Sequence, residues 1–140
     1  MPSSTPFHLI VYGATSFVGQ ILTRYLAETY GVGNSVGNGL HWAIAGRSQS
    51  KLESVRAQTL TPLGIQPDNL PIILADAADD AALNTLCNQT RAVVSTVGPY
   101  ALYGETLVKI CAQSGTDYCD LPGEPQWIRR MLERYEATAK

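Results

Sequence analysis

The chain has 140 residues, of which 45% are hydrophobic and 16% charged, and its formal net charge is −2 at pH 7. This length predicts one globular domain with a buried core, and the low charge without a dense Lys/Arg cluster argues against a nucleic-acid partner. No apolar run reaches the ~20 residues that cross a bilayer, and the first residues lack the basic and long apolar stretches of a signal peptide.

Short apolar runs alternate with helix-like patterns along the first half of the chain. Apolar residues at i, i+3, i+4 and i+7 spacing predict an amphipathic helix after the first run. Ser50 and Glu53 match a capping box, in which each side chain pairs with a backbone N–H. In chain order we predict a strand at 8–13, a helix with Val18, Ile21, Leu22, Tyr25, Leu26 and Thr29 on one face, a glycine-rich loop at 31–39, a strand at 40–46, a helix that the Ser50–Glu53 box caps, and a connection at 61–71.

The alternation continues through the second half and predicts the fold class. Strictly alternating strands and helices with almost continuously apolar strands indicate a parallel sheet covered on both faces. We therefore predict a Rossmann-type, doubly wound α/β/α sheet, in which ligands bind outside the carboxyl ends of the strands. The further elements are a strand at 72–76, a helix capped by Asp79 or Asp80 that carries Leu83, Leu86 and Cys87, a strand at 92–98, a helix with Leu107, Val108, Cys111 and Ala112 that ends at Gly115, a strand at 117–121, and a helix with Ile128, Met131, Leu132 and Tyr135.

Small residues follow the first predicted strand, in "YGATSFVG" (12–19). A helix N-terminus offers unpaired N–H groups and a positive dipole end to a phosphate, and small residues let its oxygens come close. Ser16 stands where the G-x-x-G-x-x-G form of this loop has a glycine, and its hydroxyl can cap the helix or donate to a phosphate. Packing alone also produces such turns, so that alternative stays open. The predicted pyrophosphate site comprises Gly13, Thr15, Ser16, Phe17, Val18 and Gly19.

Basic residues follow the second predicted strand, and no acidic residue lies beside them at the strand end. An NAD-binding sheet places an acidic residue here for the ribose 2′-OH, whereas this chain has Arg47, Ser48 and Lys51. A guanidinium group suits a 2′-phosphate, and a cation beside a helix N-terminus is unfavourable without an anionic partner. These residues predict NADP in preference to NAD as the cofactor, with a solvated arginine as the alternative.

The third and fourth strand ends supply candidates for the rest of a dinucleotide. Asp76 can accept a hydrogen bond from an adenine amino group, with Ala77 along the ring, or it can cap a helix. The next turn is rigid and lies where a nicotinamide ribose would bind, beside two tyrosines that are either wall or core residues. The candidates on this segment are Val97, Gly98, Pro99, Tyr100 and Tyr103.

No residue pattern identifies a catalytic group or a metal site. Asp120 and Glu124 follow the last predicted strand and can contact a substrate or cap the next helix, and neither is assigned a catalytic role. Cys87, Cys111 and Cys119 are odd in number and too widely spaced for a disulfide framework or a CxxC pair. We expect them to be buried small apolar residues in a reducing, cytoplasmic setting.

Three stretches together resemble the N-terminal part of the saccharopine dehydrogenase-like oxidoreductases. They are "YGATSFVG" (12–19), "AIAGRSQSKL" (43–52) and "VVSTVGPYALYGETLVKICAQSGTDYCDLPGE" (93–124), in that order. The resemblance covers nearly the whole chain apart from 31–39, and 93–124 is its most specific part. It implies NAD(P)-dependent redox chemistry on a fold whose first domain binds the dinucleotide.

The resemblance also implies a longer protein, because members of the family have a second domain that builds the substrate site and completes the sheet. We therefore expect residues 1–140 to be a dinucleotide-binding domain with a truncated sheet, inactive alone, whose free edge can pair in a homodimer. Members similar to saccharopine reductases and to lipid enoyl reductases share this first domain. The implied substrate is therefore a small or lipid-like molecule whose identity stays open.

Two functions remain open at this point. The chain is either the cofactor-binding domain of an oxidoreductase or a non-catalytic regulator that senses NADP. A relationship to the short-chain dehydrogenases is excluded because no tyrosine is followed four residues later by the lysine that their Tyr-x-x-x-Lys pair requires. The positions after Tyr100 and Tyr103, for example, hold Gly104 and Leu107.

Overall fold

Five parallel strands form one sheet with helices on both faces, which confirms the predicted fold. The computed structural model describes residues 5–33 and 39–140. The loop predicted at 31–39 falls largely on residues 34–38, which lie outside the described residues. Within the described ranges, no helix is long and apolar enough to cross a membrane.

The strand order places a topological switch point between the first and fourth strands. The strands are β1 (Phe7–Tyr12), β2 (Trp42–Gly46), β3 (Ile72–Leu74), β4 (Thr90–Ser95) and β5 (Asp117–Asp120), in the order β3-β2-β1-β4-β5. The helices are α1 (Phe17–Tyr30), α2 (Gln49–Leu60), α3 (Asp80–Cys87), α4 (Tyr100–Tyr103), α5 (Glu105–Ser114) and α6 (Pro125–Ala139). Two short 3-10 turns, Thr61–Leu63 and Pro67–Asn69, occupy the predicted connection. A crevice for ligands opens at such a switch point, at the carboxyl ends of the strands.

Alternate residues of the strands supply two separate cores. Ile10 and Tyr12 of β1 face the side covered by α3 and α5. Val11 of β1 faces the side covered by α1 and α2, where it packs with Leu26 and Leu52. Helix α6 packs against α5 through a third, smaller cluster, in which the Tyr100 and Trp127 rings lie 5.4 Å apart. The central strands are therefore buried on both faces, as their unbroken apolar sequences predict.

Helix α1 buries the predicted face only in part. Of the predicted residues, Leu26 is buried and Leu22 packs against the core, whereas Val18, Ile21 and Tyr25 are 42%, 55% and 54% exposed. The other buried positions are Gly19, Thr23 and Ala27. The small residues decide the outcome because a Cβ built on Gly19 would lie 2.3 Å from the Gly13 carbonyl oxygen. The helix rests on β1 through its glycine, and this contact turns the larger apolar side chains outward.

Packing also decides the other helical details that the sequence pattern misplaced. Ser48 caps α2 by accepting from the Lys51 N–H at 3.3 Å, so the capping box assigned to Ser50 and Glu53 is wrong. On α6 the predicted Met131 is buried together with Trp127, while Ile128 and Leu132, also predicted on the core face, are 37% and 55% exposed. The benzene part of Trp127 lies over Gly104, where a Cβ would come within 2.8 Å.

The structure confirms the predicted ends of α3 and α5, whereas one cysteine is not buried as predicted. Asp79, one of the two predicted caps of α3, accepts from the Ala82 N–H at 3.0 Å. Gly115 ends α5 in the left-handed conformation, with φ +73°. Cys119 is exposed, contrary to expectation, while Cys87 and Cys111 are buried. Because β5 is an edge strand, its alternate residues receive less cover than those of the central strands.

We expect Gly19→Ala to destabilise the chain by about 1–3 kcal/mol, the usual cost of overpacking a filled site. The new methyl group would contact the backbone oxygen of Gly13, so the helix would have to move away from the strand. Urea unfolding followed by circular dichroism measures the loss.

The matched control is Gly123→Ala. A Cβ at Gly123 meets nothing within 4 Å, so its unfolding midpoint should stay close to that of the unmodified chain. Equal midpoints for the two variants would contradict the close contact between α1 and β1.

Candidate functional site

A cleft of about 880 Å³ lies at the carboxyl ends of the strands, where the fold predicts a ligand site. The structure brings many of the predicted site residues to its walls: Gly13, Thr15, Ser16, Arg47, Asp76, Ala77, Val97 and Gly98, together with Tyr103. The other predicted residues do not line it, and these are Phe17, Val18, Gly19, Ser48, Lys51, Pro99 and Tyr100. Four of the five strand ends thus meet at one cavity.

The turn between β1 and α1 is tight, and two positions in it exclude a side chain. Gly13 has φ +85°, and a Cβ there would lie 2.6 Å from Cγ2 of Val97. Gly19 is held against the Gly13 carbonyl group, as described above. Both positions therefore need glycine because protein atoms fill the space that a Cβ would take, and Thr15 and Ser16 of the same turn line the cleft.

Ser16 closes the turn by capping the helix. Its Oγ accepts from the Gly19 N–H at 2.9 Å and lies 2.9 Å from Oγ1 of Thr96. Thr96 donates its hydroxyl hydrogen to the Gly13 carbonyl oxygen at 2.8 Å, so Ser16 is the donor in the bond between the two hydroxyl groups. Of the two roles that the sequence allows Ser16, the structure shows the cap.

The start of α1 leaves backbone donors for a ligand. The first N–H groups of any helix have no partner inside the helix. Ser16 takes up that of Gly19, and no hydrogen bond among the described residues takes up those of Phe17 and Val18. Phe17 and Val18 do not line the cleft, and their N–H groups lie at the helix end that favours an anion.

Arg47 is the cation at the second strand end. It is exposed on the cleft wall and, within the described parts of the chain, takes part in no hydrogen bond or ion pair. Ser48 caps α2, and Lys51 lies one turn into that helix, outside the cleft. Glu53 accepts from Gln49 at 2.7 Å and leaves the strand end without a carboxylate.

Asp76 lies on the cleft wall, shortly after the end of β3. One carboxylate oxygen accepts from the Ala78 N–H at 2.9 Å and shapes the turn that follows the strand. It caps no helix, because Asp79 holds that position on α3. Asp76 and Ala77 therefore present a short wall with one acceptor oxygen free within the described residues.

The fourth strand end divides between the cleft and the core. Val97 and Gly98 line the cleft, whereas Pro99 starts α4 after a cis Gly98–Pro99 bond. The Tyr100 hydroxyl donates to the Ser95 carbonyl oxygen at 2.9 Å and accepts from the Leu121 N–H at 3.2 Å. The ring is buried, and burial raises the pKa of this phenol. Of the two alternatives, Tyr100 is a core residue.

The two carboxylates after β5 have structural partners. Glu124 accepts from the N–H groups of Tyr100 and Ala101 at 2.8 and 2.9 Å, so it caps α4 rather than α6. Asp120 accepts from the Tyr118 hydroxyl at 2.6 Å, and burial raises the pKa of its carboxyl group. Neither residue lines the cleft.

Sequence reasoning missed several residues of the cleft wall. Thr96 directly follows β4, so the strand-end rule that found Val97 would also have found it. Tyr12 is the last residue of β1, and its hydroxyl donates to the Ala75 carbonyl oxygen at 3.0 Å. Lys109 and Thr106 lie on α5, and no local pattern indicates that the break between α4 and α5 turns them toward the cleft.

Glu105 is clamped between α5 and α6 at the rim of the cleft. Its carboxylate accepts from the Tyr135 hydroxyl at 2.5 Å and from Nη1 of Arg134 at 2.7 Å. The hydrogen bond from Tyr135, and next that from Arg134, lower the pKa of the Glu105 carboxyl group. The clamp joins the final helix to the wall of the cleft.

The chain is similar over almost its whole length to known oxidoreductases. The family model of the saccharopine dehydrogenase NADP binding domain matches residues 9–140. A "Lipid droplet localized protein" of Caenorhabditis elegans is 38% identical over 134 residues, which are 96% of this chain and 30% of that protein. A human "Saccharopine dehydrogenase-like oxidoreductase" is 38% identical over 136 residues, with 96% of this chain and 32% of that protein covered. The chain thus spans about a third of the length of these curated relatives.

A solved structure shows the same fold. Apo saccharopine dehydrogenase (L-Glu forming) from Saccharomyces cerevisiae superposes with a TM-score of 0.60 at 19% identity. The match covers 81% of this chain and 21% of that one. At this identity the likeness concerns the arrangement of strands and helices alone.

We expect the titration midpoint of Glu105 to lie below the usual value for glutamate and to rise toward it in Tyr135→Phe. The phenol stabilises the charged carboxylate, so its removal favours the protonated form. Because the folded-state pKa is lowered, the clamp contributes stability at neutral pH and loses it as the pH falls through that pKa. Carbon NMR of the labelled carboxyl group measures the midpoint.

Tyr103→Phe is the control, because Tyr103 also lines the cleft and makes no hydrogen bond to Glu105 among the described residues. The titration midpoint of Glu105 in Tyr103→Phe should match that in the unmodified chain. An unchanged midpoint in Tyr135→Phe would show that the clamp does not form in solution.

Proposed function

The chain belongs to the family of saccharopine dehydrogenase NADP-binding domains, and we propose that its cleft holds NADP(H) for hydride transfer within a longer oxidoreductase. The observation that carries the proposal is the meeting of an open glycine turn and an unpaired arginine at the carboxyl ends of the strands. A dinucleotide needs both features, since it carries a pyrophosphate and, in NADP, a further phosphate on the adenosine ribose.

The turn after β1 suits the pyrophosphate. Side chains at Gly13 and Gly19 are excluded by contacts of 2.6 and 2.3 Å, so the turn and the start of α1 pack closely against the strand ends. The N–H groups of Phe17 and Val18 and the positive end of the α1 dipole would receive the charge. Ser16 orients this turn through Thr96 and keeps its own hydroxyl hydrogen in that bond.

Arg47 suits the 2′-phosphate, and its neighbours suit the adenosine. A carboxylate that would hold a free ribose 2′-OH is missing from the β2 end, and the guanidinium group has no protein partner among the described residues. Asp76 offers an acceptor for the adenine amino group, and Ala77 offers a flat apolar contact. Lys109, on the opposite wall, adds a second positive charge to the same cleft.

The nicotinamide end would lie against Val97 and Gly98. Bound NADPH supplies a hydride there, and the chain's own residues position the cofactor and shield one side of it from water. Tyr103 and Lys109 line the same cleft and carry groups that can transfer a proton, and neither is assigned a catalytic role. We assign the substrate contacts to parts of the longer protein outside residues 1–140, and the substrate to a small or lipid-like molecule.

Arg47→Ala should weaken NADPH binding roughly ten- to a hundredfold and leave NADH binding nearly unchanged. A hydrogen bond to a charged group contributes about 1.5–3 kcal/mol, which corresponds to that range of affinity. Isothermal titration calorimetry with both cofactors measures the difference. Lys51→Ala should weaken NADPH by a smaller factor, since the structure places Lys51 outside the cleft wall.

Arg91→Ala is the matched control, because Arg91 is an exposed arginine at the amino end of β4. The cleft lies at the other end of the strands. The affinities of the Arg91→Ala variant for NADPH and NADH should equal those of the unmodified chain. An equal loss of affinity for both cofactors in Arg47→Ala would show that Arg47 stacks on adenine and does not contact the 2′-phosphate. No change in either affinity would overturn the role of Arg47.

We expect the 140-residue chain to bind NADPH without oxidising it. The cleft has the features of a cofactor site, and the proposed substrate contacts lie outside residues 1–140. Absorbance of NADPH in the presence of the chain and candidate carbonyl, imine or enoyl compounds follows the reaction. Steady loss of NADPH with any of these compounds would show that the chain is catalytic alone.

A further inference from the structure

Two cysteine side chains meet in the core between helices α3 and α5. The sulfur atoms of Cys87 and Cys111 lie 3.5 Å apart. Both residues are 1% exposed and belong to the core on the α3 and α5 face of the sheet. Neither takes part in the proposed cofactor site, so the pair is not explained by it.

Hydrogen bonds hold the main chain of both cysteines in place. The hydroxyl group of Thr116 donates to the Cys87 carbonyl oxygen at 2.9 Å, and its N–H donates to the Cys111 carbonyl oxygen at 3.0 Å. One residue thus fixes the spacing of the two backbones. To form a disulfide, the sulfurs would approach from 3.5 Å to ~2.0 Å.

The two thiols are unequal, and a cavity reaches one of them. The hydrogen bond between the sulfurs lowers the pKa of Cys87 and raises that of Cys111, and burial raises the latter further. A groove of about 460 Å³ between β5, α5 and α6 is lined by Cys111. A molecule as small as hydrogen peroxide can therefore come close to the pair without unfolding the domain.

We propose that Cys87 and Cys111 form a reversible disulfide when the folded chain meets a peroxide. The thiolate of one of the two cysteines attacks one peroxide oxygen, the O–O bond breaks, hydroxide leaves, and a sulfenic acid forms. The sulfur of the other cysteine then attacks the sulfenic sulfur, and the hydroxyl group leaves. With the two thiol protons the oxygens become two water molecules, so the peroxide is reduced and the two thiols are oxidised.

The test uses the 140-residue Cys119→Ser chain, in which Cys87 and Cys111 are the remaining cysteines. The folded protein is treated with hydrogen peroxide, unfolded in an alkylating agent, digested with trypsin and analysed by mass spectrometry without reductant. Trypsin separates the cysteines into peptides 57–91 and 110–129. We expect these peptides to appear joined, at the summed mass less two hydrogen atoms, and to separate after dithiothreitol.

Exposed Cys119 of the unmodified chain, treated in parallel, shows that the peroxide dose is effective. The additional variant Cys111→Ala, in the Cys119→Ser background, should give no joined peptides within one chain. The proposal is overturned if Cys87 and Cys111 are both alkylated at a dose that oxidises Cys119. It is also overturned if they gain oxygen without becoming linked, or if the link forms only in urea.

Discussion

The contact between the Gly13 carbonyl group and Gly19 is the constraint on which the arrangement of the site depends. A Cβ at position 19 would lie 2.3 Å from that oxygen, so the helix and the strand touch through main chain. This contact fixes the distance of α1 from the sheet and the rotation of the helix about its axis. It also explains why the small face of α1 is buried and why the helix begins directly at the cleft, with its first N–H groups available.

A second layer of hydrogen bonds holds the rest of the cleft to this contact. Thr96 joins the turn after β1 to the end of β4, and Tyr12 reaches past β2 to the Ala75 carbonyl oxygen. Glu124 takes up the first N–H groups of α4. Of the two helix N-termini near the switch point, that of α4 is therefore paired with a carboxylate, whereas the Phe17 and Val18 N–H groups of α1 take part in no hydrogen bond among the described residues. The charged side chains on the cleft wall include those of Arg47, Lys109, Asp76 and Glu105.

The sequence was sufficient for the fold and for about half of the residues on the cleft wall, because both depend on local signals. Continuous apolar strands define the sheet, and parallel strands bring their ends to one edge, so Arg47, Asp76 and Gly98 could be placed from chain order alone. The buried faces of α1 and α6 could be placed only in part, at Leu26 and Met131. The rest depends on the contact of main chain at Gly19 and on the contact of Trp127 with Gly104. Lys109 was missed for a similar reason. Its position depends on how α5 leaves α4, which the local sequence does not record.

The hydrogen bond between Ser16 and Thr96 spans 80 positions of the chain. Closing so long a segment costs conformational entropy before the bond returns any energy, and contacts of this range slow folding. The turn that would receive the pyrophosphate cannot take its final shape until two further strand–helix units have folded and β4 lies beside β1. We therefore expect the site to mature late on the folding pathway. A ligand that needs this turn would select chains that have completed the sheet, and its binding energy would add directly to the free energy of unfolding.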